Sequence, residues 1–188
     1  MNKKSVVVRK NQVYLHLRLD RINTDIAFCS ATIYNLIMIA VNPISWDGIS
    51  SVWTEKLWPN RQSPIKTHSS MQYLGGNDMS IYEYHASFWG VECNDRIIAV
   101  ISGFRTTPKL YRSRGIWIDP NYRYKGFSKH LFNAVSKQAY AEGCKAIWSF
   151  PRMSALPAYT AWGFRSTSEP QDDGEFGPNC YVYKEIAV

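Results

Sequence analysis

Residues 114–129, RGIWIDPNYRYKGFSK, constrain the fold more than any other stretch of the chain. An apolar run (Ile116, Trp117, Ile118) stops at Asp119-Pro120, a basic turn follows, and Gly126 opens a segment whose apolar residues Phe127, Leu131 and Val135 recur at helical spacing. That order is strand, turn, helix. The first backbone N–H groups of a helix lack internal partners and carry the positive end of its dipole, so they attract anions. Gly126 lets a ligand approach the backbone, and Arg123, Lys125 and Lys129 add formal charge around the same turn, which suits a phosphate or pyrophosphate. A lone glycine before a helix serves equally as a turn residue, so the neighbours must carry the assignment.

Arg123-Tyr124-Lys125-Gly126-Phe127-Ser128 resembles the acyl-CoA signature of the GNAT superfamily of N-acyltransferases, Arg/Gln-x-x-Gly-x-Gly/Ala, with the small Ser128 where the family usually has Gly or Ala. The preceding Ile-Trp-Ile-Asp-Pro-Asn-Tyr is similar to the family's strand ending in a proline. The resemblance implies an α+β fold: a mixed, mostly antiparallel central sheet flanked by helices, with one splayed pair of parallel strands. It also implies that acetyl-CoA is the acyl-donor substrate. Arg123, Tyr124, Lys125, Gly126, Phe127 and Ser128 would then surround its pyrophosphate, and backbone near Trp117 and Ile118 would bond its pantetheine arm like an added strand.

At 188 residues, with 45% hydrophobic and 14% aromatic side chains, the chain is one ordinary globular domain. The net charge of +7 invites a nucleic-acid reading. Six of the 22 Lys/Arg and two of the 15 Asp/Glu fall in the first 37 residues, which leaves +3 for the rest; a nucleic-acid footprint needs its charge clustered on one face. Cys29, Cys93, Cys144 and Cys180 are scattered, with no C-x-x-C and no paired His spacing. They read as buried free thiols in a reducing compartment, with no metal site. The apolar run near the N-terminus starts late and lacks a signal-peptide cleavage site, so the expected location is the cytoplasm.

Residues 6–19 alternate loosely like a strand or hairpin, and residues 26–41 are nearly continuous in apolar side chains. A transmembrane helix needs about 20 mainly apolar residues, and this run also contains Ser30, Thr32 and Asn35, so it would make a poor span. The alternatives are a buried segment or a tail foreign to the domain, and no membrane partner is expected. Met38 begins a phrase, MIAVNPISWDGISSVW, that is similar to the first strand and helix of a GNAT domain. Residues 1–37 are therefore expected to be an N-terminal extension and residues 38–188 the acyltransferase domain.

Within that domain, Asn42-Pro43 ends a first strand, and Ser45 or Asp47 caps a helix with Ile49, Val52, Trp53 and Leu57 on one side, stopped by Pro59. Residues 60–80 read as a long polar loop holding Arg61, His68, Asp78 and a Gly75-Gly76 pair. The resemblance implies that this loop helps choose the acceptor; a solvated connection is the alternative, and for His68 the weightier one. Strands over 87–93 and 96–106 flank Asn94-Asp95, a two-residue hairpin connection. A third strand, 111–119, leads into the basic turn, and the helix over 127–142 ends at Gly143. A strand over 145–150 then runs parallel to 111–119 through that helical crossover. The hairpin-hairpin-helix order argues a mixed sheet. A short helix at 154–162 and strands around 164–168 and 181–186 complete the chain, with an acidic loop at 171–178.

Tyr159-Thr-Ala-Trp-Gly163-Phe164 resembles the family's Tyr-x-x-x-Gly-Phe ending, which implies that Tyr159 protonates the leaving thiolate. A phenol is a neutral donor at pH 7 and suits the task; a packed aromatic with a satisfied hydroxyl is the alternative. Where the family often has Asn after the preceding strand, this chain has Pro151-Arg152-Met153-Ser154. The implied chemistry is direct attack of an amine, on a small molecule or a protein, on a thioester carbonyl polarised by backbone N–H groups. Glu83, His85, Glu92 and Asp119 are candidate bases, each with a structural or solvated role as the alternative. Residues 57–64 (LWPNRQSP) and 111–115 (YRSRG) resemble GNAT proteins of large tailed phages, which implies the host cytoplasm if the chain is phage-encoded. They add a second acceptor class, a base of DNA, which Arg112 and Arg114 would serve; facing solvent or the CoA phosphates is their plainer role. A third reading is a module that binds acyl-CoA or a partner without turnover.

Overall fold

The structure, a computed structural model, describes residues 39–172 and 177–186. The extension 1–37, with its expected strand or hairpin over 6–19, most of the apolar run 26–41 and the centre of the acidic loop lie outside the described residues. No helix among the described residues is long and apolar enough to cross a membrane.

Hydrophobic runs separated by turn residues become the strands β1 (Asn42–Pro43), β2 (Ala86–Cys93), β3 (Arg96–Arg105), β4 (Leu110–Ile118), β5 (Ala146–Ser149) and β6 (Arg165–Ser166), followed by β7 (Gln171–Asp172), β8 (Pro178–Asn179) and β9 (Val182–Glu185). Seven of them form one sheet in the order β1-β2-β3-β4-β5-β9-β6, and β7 and β8 pair separately. Every ladder is antiparallel except that between β4 and β5. The mixed α+β sheet expected from the sequence is thus present. Asn94 and Asp95 join β2 to β3 with φ of 50° and 58°; two successive positive φ values make a turn whose twist matches the strands it joins, and Asn and Asp tolerate that conformation.

Helices cover both faces. On one, α1 (Trp46–Val52), whose N-cap Ser45 accepts a hydrogen bond from the Gly48 amide, packs Ile49 against Val100 together with Trp53 just beyond its end. On the other, α2 (Phe127–Ala141) buries Leu131, Phe132, Val135 and Ala139 against Ile101, Tyr111 and Ile147. Alternation along β3 explains the division, because neighbours such as Val100 and Ile101 point to opposite faces. The last helix, α3 (Leu156–Ala161), brings Tyr159 into the α2 side of the core. The single helix expected up to Pro59 is not what forms: after Val52 the chain makes a π-helical turn, Trp53–Leu57, closed by the Trp58 amide on the Trp53 carbonyl at 2.7 Å. Of the described cysteines, Cys144 and Cys180 are buried free thiols and Cys93 is half-buried.

Candidate active site

β4 and β5 stay paired only from Leu110↔Ala146 to Arg112↔Trp148. β5 ends at Ser149, and Pro151 beyond it has no N–H with which to continue a ladder, while β4 runs on to Ile118. The two parallel strands therefore part, leaving the far half of β4 with no strand beside it on that side among the described residues.

A bulge in β4 sets what faces the opening. Arg114 pairs with Ser102 and Trp117 with Val100, so β4 spends one residue more than β3 over that interval, and Gly115 sits there at φ +67°. An extra residue reverses the in-out alternation. Before it, Tyr111 points into the α2 core and Arg114 lies over Trp53; after it, Ile116 and Ile118 join the α2 side and Trp117 joins Trp53. The bulge is tied down by Trp53, whose Nε1 donates to the Gly115 carbonyl at 2.7 Å. The π turn positions that ring, a frequent use of such turns.

A cavity of about 300 Å³ lies at the fork. Residues 113–116 of β4, Ser149 at the end of β5 and residues 150–152 after it, Tyr159 and Asn179 line it, with Trp58, Arg61 and Met71 from the chain between α1 and β2. Tyr159 is 2% exposed and rests edge-on against Phe132 and Phe164. Its hydroxyl is 3.2 Å from Ser149 Oγ, which in turn donates to the Ser113 carbonyl at 2.7 Å. Burial raises the Tyr159 pKa, against the smaller opposing effects of Ser149, Ser113 and Arg112, so the phenol holds its proton at neutral pH. The Tyr159-to-Phe164 spacing has a local cause: the Phe164 amide bonds back to the Tyr159 carbonyl at 3.1 Å, and Gly163 takes φ +93° to allow it.

The other sequence-derived site residues lie along the rest of β4 and the turn after it. The Asp119 amide donates to the Ile98 carbonyl on β3. By alternation Trp117 turns its polar groups toward β3 and Ile118 turns its own into the opening, where the Ile118 carbonyl accepts from Arg123 Nε at 3.1 Å. Tyr124 is fully exposed with φ +61°, and Lys125 Nζ donates to the Asn121 carbonyl at 2.9 Å. Gly126 is the N-cap of α2 at φ +85°, with no side-chain cap; a Cβ there would meet nothing within 4 Å. Phe127 and Ser128 form the first turn of α2. The backbone at this helix start is therefore open to a ligand, and β4 beyond Ser113 is open to a ligand's arm: the residues present fit the pyrophosphate and pantetheine of an acyl-CoA.

Arg112 and Arg114 do not face solvent. Each is 7% exposed, and both line the cavity on the α1 face. Arg114 lies between the rings of Trp53 and Trp58, 4.9 and 5.0 Å from their centres, and donates to the Lys66 carbonyl at 2.7 Å. Arg112 lies over Trp148 at 4.7 Å. Burial pushes Arg112 down to about 10 and Arg114 to about 9, both still cationic at pH 7. Alternation with Tyr111 was the available signal: two arginines flanking Ser113 on a strand next to a central one must share one face. Ser149 and Asn179 carried no sequence signal. Asn179 arrives from β8 to donate to the Phe150 carbonyl at 2.9 Å, placing an asparagine at the end of β5 from elsewhere in the chain.

None of the candidate bases lines the cavity. Glu83, His85 and Glu92 are exposed, and Asp119 accepts from the Asn121 amide at 2.9 Å. His68 is not solvated either: it is 7% exposed against Phe104, 4.8 Å between ring centres, with Nδ1 2.9 Å from Thr67 Oγ1. Burial first, then Arg114 and His85, lower its pKa below the ordinary 6.5, while a backbone contact at Tyr84 opposes them. A depressed folded-state value means the unfolded chain binds the proton first, so this contribution to stability is complete above 6.5 and is lost as pH falls through the folded value. Thermal midpoints measured between pH 7.5 and 5 should therefore drop, and the drop should be shallower in His68→Asn; parallel profiles would remove His68 as the cause.

Among the described residues no group of three or more His, Cys, Asp or Glu could hold a metal ion. No curated protein matches the chain by sequence. Solved structures match it at low identity. An aminoglycoside 6'-N-acetyltransferase complexed with coenzyme A superposes with a TM-score of 0.59 at 11% identity, over 79% of this chain and 98% of that one. The ribosomal-protein-alanine N-acetyltransferase from Escherichia coli gives 0.54 at 13%, over 80% and 96%. A GNAT-family acetyltransferase from Staphylococcus aureus Mu50 gives 0.54 at 16%, over 79% and 100%. These likenesses concern the fold. The sequence of residues 52–164, more than half of the chain and inclusive of the π turn, the forked strands, the helix start and Tyr159, matches the acetyltransferase (GNAT) family, and the chain belongs to that family.

Proposed function

We propose that residues 38–188 form an N-acetyltransferase domain that moves an acetyl group from acetyl-CoA to an amine by direct attack, residues 1–37 being an extension to it. The observation that carries this reading is the cavity at the fork of β4 and β5, with the buried Tyr159 hydroxyl on its wall. The uncapped start of α2 at Gly126, with Arg123, Tyr124, Lys125, Phe127 and Ser128 around it, binds the pyrophosphate through backbone N–H groups. The free edge of β4 at Ile118, next to Trp117, bonds the pantetheine arm, which then competes with Arg123 for the Ile118 carbonyl.

The donor supplies a thioester carbonyl carbon, to which the amine nitrogen bonds while the carbon–sulfur bond breaks. Backbone N–H groups at the β4 bulge carry the developing oxyanion. Tyr159 gives its proton to the departing thiolate, Ser149 holds the phenol in place, and water takes the proton lost by the nitrogen. Related folds act on an aminoglycoside and on a ribosomal-protein alanine, so a small-molecule or protein amine is the first choice of acceptor. The phage-like phrases at 57–64 and 111–115 support a phage-encoded enzyme working in the host cytoplasm. A DNA base is less well served, because Arg112 and Arg114 are buried instead of presented on a surface. The buried Tyr159–Ser149–Ser113 chain argues against a module without turnover.

Acetyl-CoA should raise the thermal midpoint of the full chain and of a chain starting at Met38 alike, and at 100 times its Kd the stabilisation is about 2.7 kcal/mol. Gly126→Val should cancel most of that shift. No response in the full chain would end the acyltransferase reading; a response there but none in a folded Met38 chain would move the domain boundary.

A further inference from the structure

The proposed chemistry leaves the most unusual group in the cavity unused. Arg112 is buried, yet its Nη2 reaches only the Met71 sulfur at 3.4 Å, a weak acceptor, while Nε and Nη1 have no hydrogen-bond partner among the described residues. Arg114, two residues on and on the same face, is fixed by its tryptophans and the Lys66 carbonyl. Arg61 and Arg152 line the same cavity, and among the described residues no Asp or Glu does. A guanidinium over Trp148 recovers part of its lost hydration, but a buried cation with no counter-charge among the described residues remains costly. What would complete this cavity is an anion.

We propose that the acceptor amine carries an anionic group, a carboxylate or a phosphate, which Arg112 and Arg114 bind so that its nitrogen is presented at the Tyr159 end of the cavity. The proposal rests on the acetyltransferase reading and adds the substrate class to it. The donor's own pyrophosphate is not the anion concerned. Arg112 lies six residues before Ile118 on β4, roughly 20 Å at strand rise, and its side chain is on the α1 face while the α2 start is on the other. Size argues for a small molecule: arginines 7% exposed around about 300 Å³ accept an amino acid or an amino-phosphate, whereas a duplex meets side chains that stand out from a surface. Asn179 Oδ1, also in this cavity, buried and without a hydrogen-bond partner among the described residues, is an acceptor for the amine N–H of such a substrate. The amide oxygen is assigned to that position because Nδ2 is used on the Phe150 carbonyl.

The test has a binding arm and a transfer arm. In the first, inorganic phosphate and acetate are titrated against chloride at constant ionic strength, and thermal midpoints are read with acetyl-CoA present. The wild-type protein should be stabilised by at least one of the two anions, which also separates phosphate from carboxylate chemistry. Arg112→Met should lose the response, and Arg112→Lys should keep part of it. In the second, radiolabelled acetyl-CoA is offered with amino acids and aminoalkyl phosphates, with their uncharged amides and alcohols, and with DNA. Label should pass to a charged amine on the order of thirtyfold or more in preference to its neutral partner, and Arg112→Met should raise KM for the charged amine alone. Equal labelling of both partners, label in DNA, or an anion response unchanged in a folded Arg112→Met overturns the proposal while leaving the transferase intact; if no amine is labelled, the binding arm decides. Failure to bind acetyl-CoA would instead strike the reading beneath it.

Discussion

Gly115→Ala is expected to lower the thermal midpoint by about 4–20 °C. At φ +67° an alanine sits in the left-handed region, and its Cβ would meet the Trp53 ring at 2.3 Å. The backbone penalty is about 1–2 kcal/mol and forcing the packed indole aside adds about 1–3 kcal/mol, with each kcal/mol worth roughly 2–4 °C in a domain of this size. Trp53 is fully buried and holds both the bulge and Arg114, so it has nowhere to go. Gly126→Ala is the internal comparison: its φ is +85° but its Cβ would meet nothing, and only the backbone penalty of about 1–2 kcal/mol applies. Circular-dichroism melts that place the two variants within a degree of one another would show that the Trp53 contact is not what fixes the bulge.

Tyr159→Phe should reduce kcat by about 10²–10⁴-fold and leave acetyl-CoA affinity near the wild-type value. Ser149 Oγ keeps its bond to the Ser113 carbonyl in the variant, and the ring keeps its contacts with Phe132 and Phe164. Stability should therefore fall by no more than about 1 kcal/mol. Burial raises the Tyr159 pKa, so its proton is in place throughout the neutral range, and the wild-type rate should show no loss assignable to this group until the solution is well above the ordinary phenol value. Single-turnover kinetics at saturating donor and acceptor isolate the step. An unchanged rate there would leave Tyr159 as a packed aromatic with a satisfied hydroxyl.

Local order in the sequence sufficed for much of this. Phe127, Leu131 and Val135 at helical spacing behind Gly126 gave α2 to within a residue at either end. Asn94-Asp95 between two apolar runs gave the β2–β3 hairpin, and Pro151 after a short apolar run gave the point where β5 stops. Each of these rests on interactions between residues a few positions apart, which leave their mark on a short window of sequence.

The cavity was another matter. A fork between β4 and β5 needs the register of two strands whose partners lie 36 positions apart, fixed by the crossover helix and by where each strand loses its neighbour. Which face Ile116, Trp117 and Ile118 take relative to Arg112 and Arg114 depends on one additional residue in β4, and that bulge is held by an indole delivered from a π turn 62 positions earlier. Sequence alternation names the residues that share a face only while the pairing stays regular; a single inserted position reverses the assignment without altering composition or periodicity. Residue types and local spacing thus settled the elements and the family of the chain. The charge and shape of the place where an acceptor would sit came from contacts between distant segments.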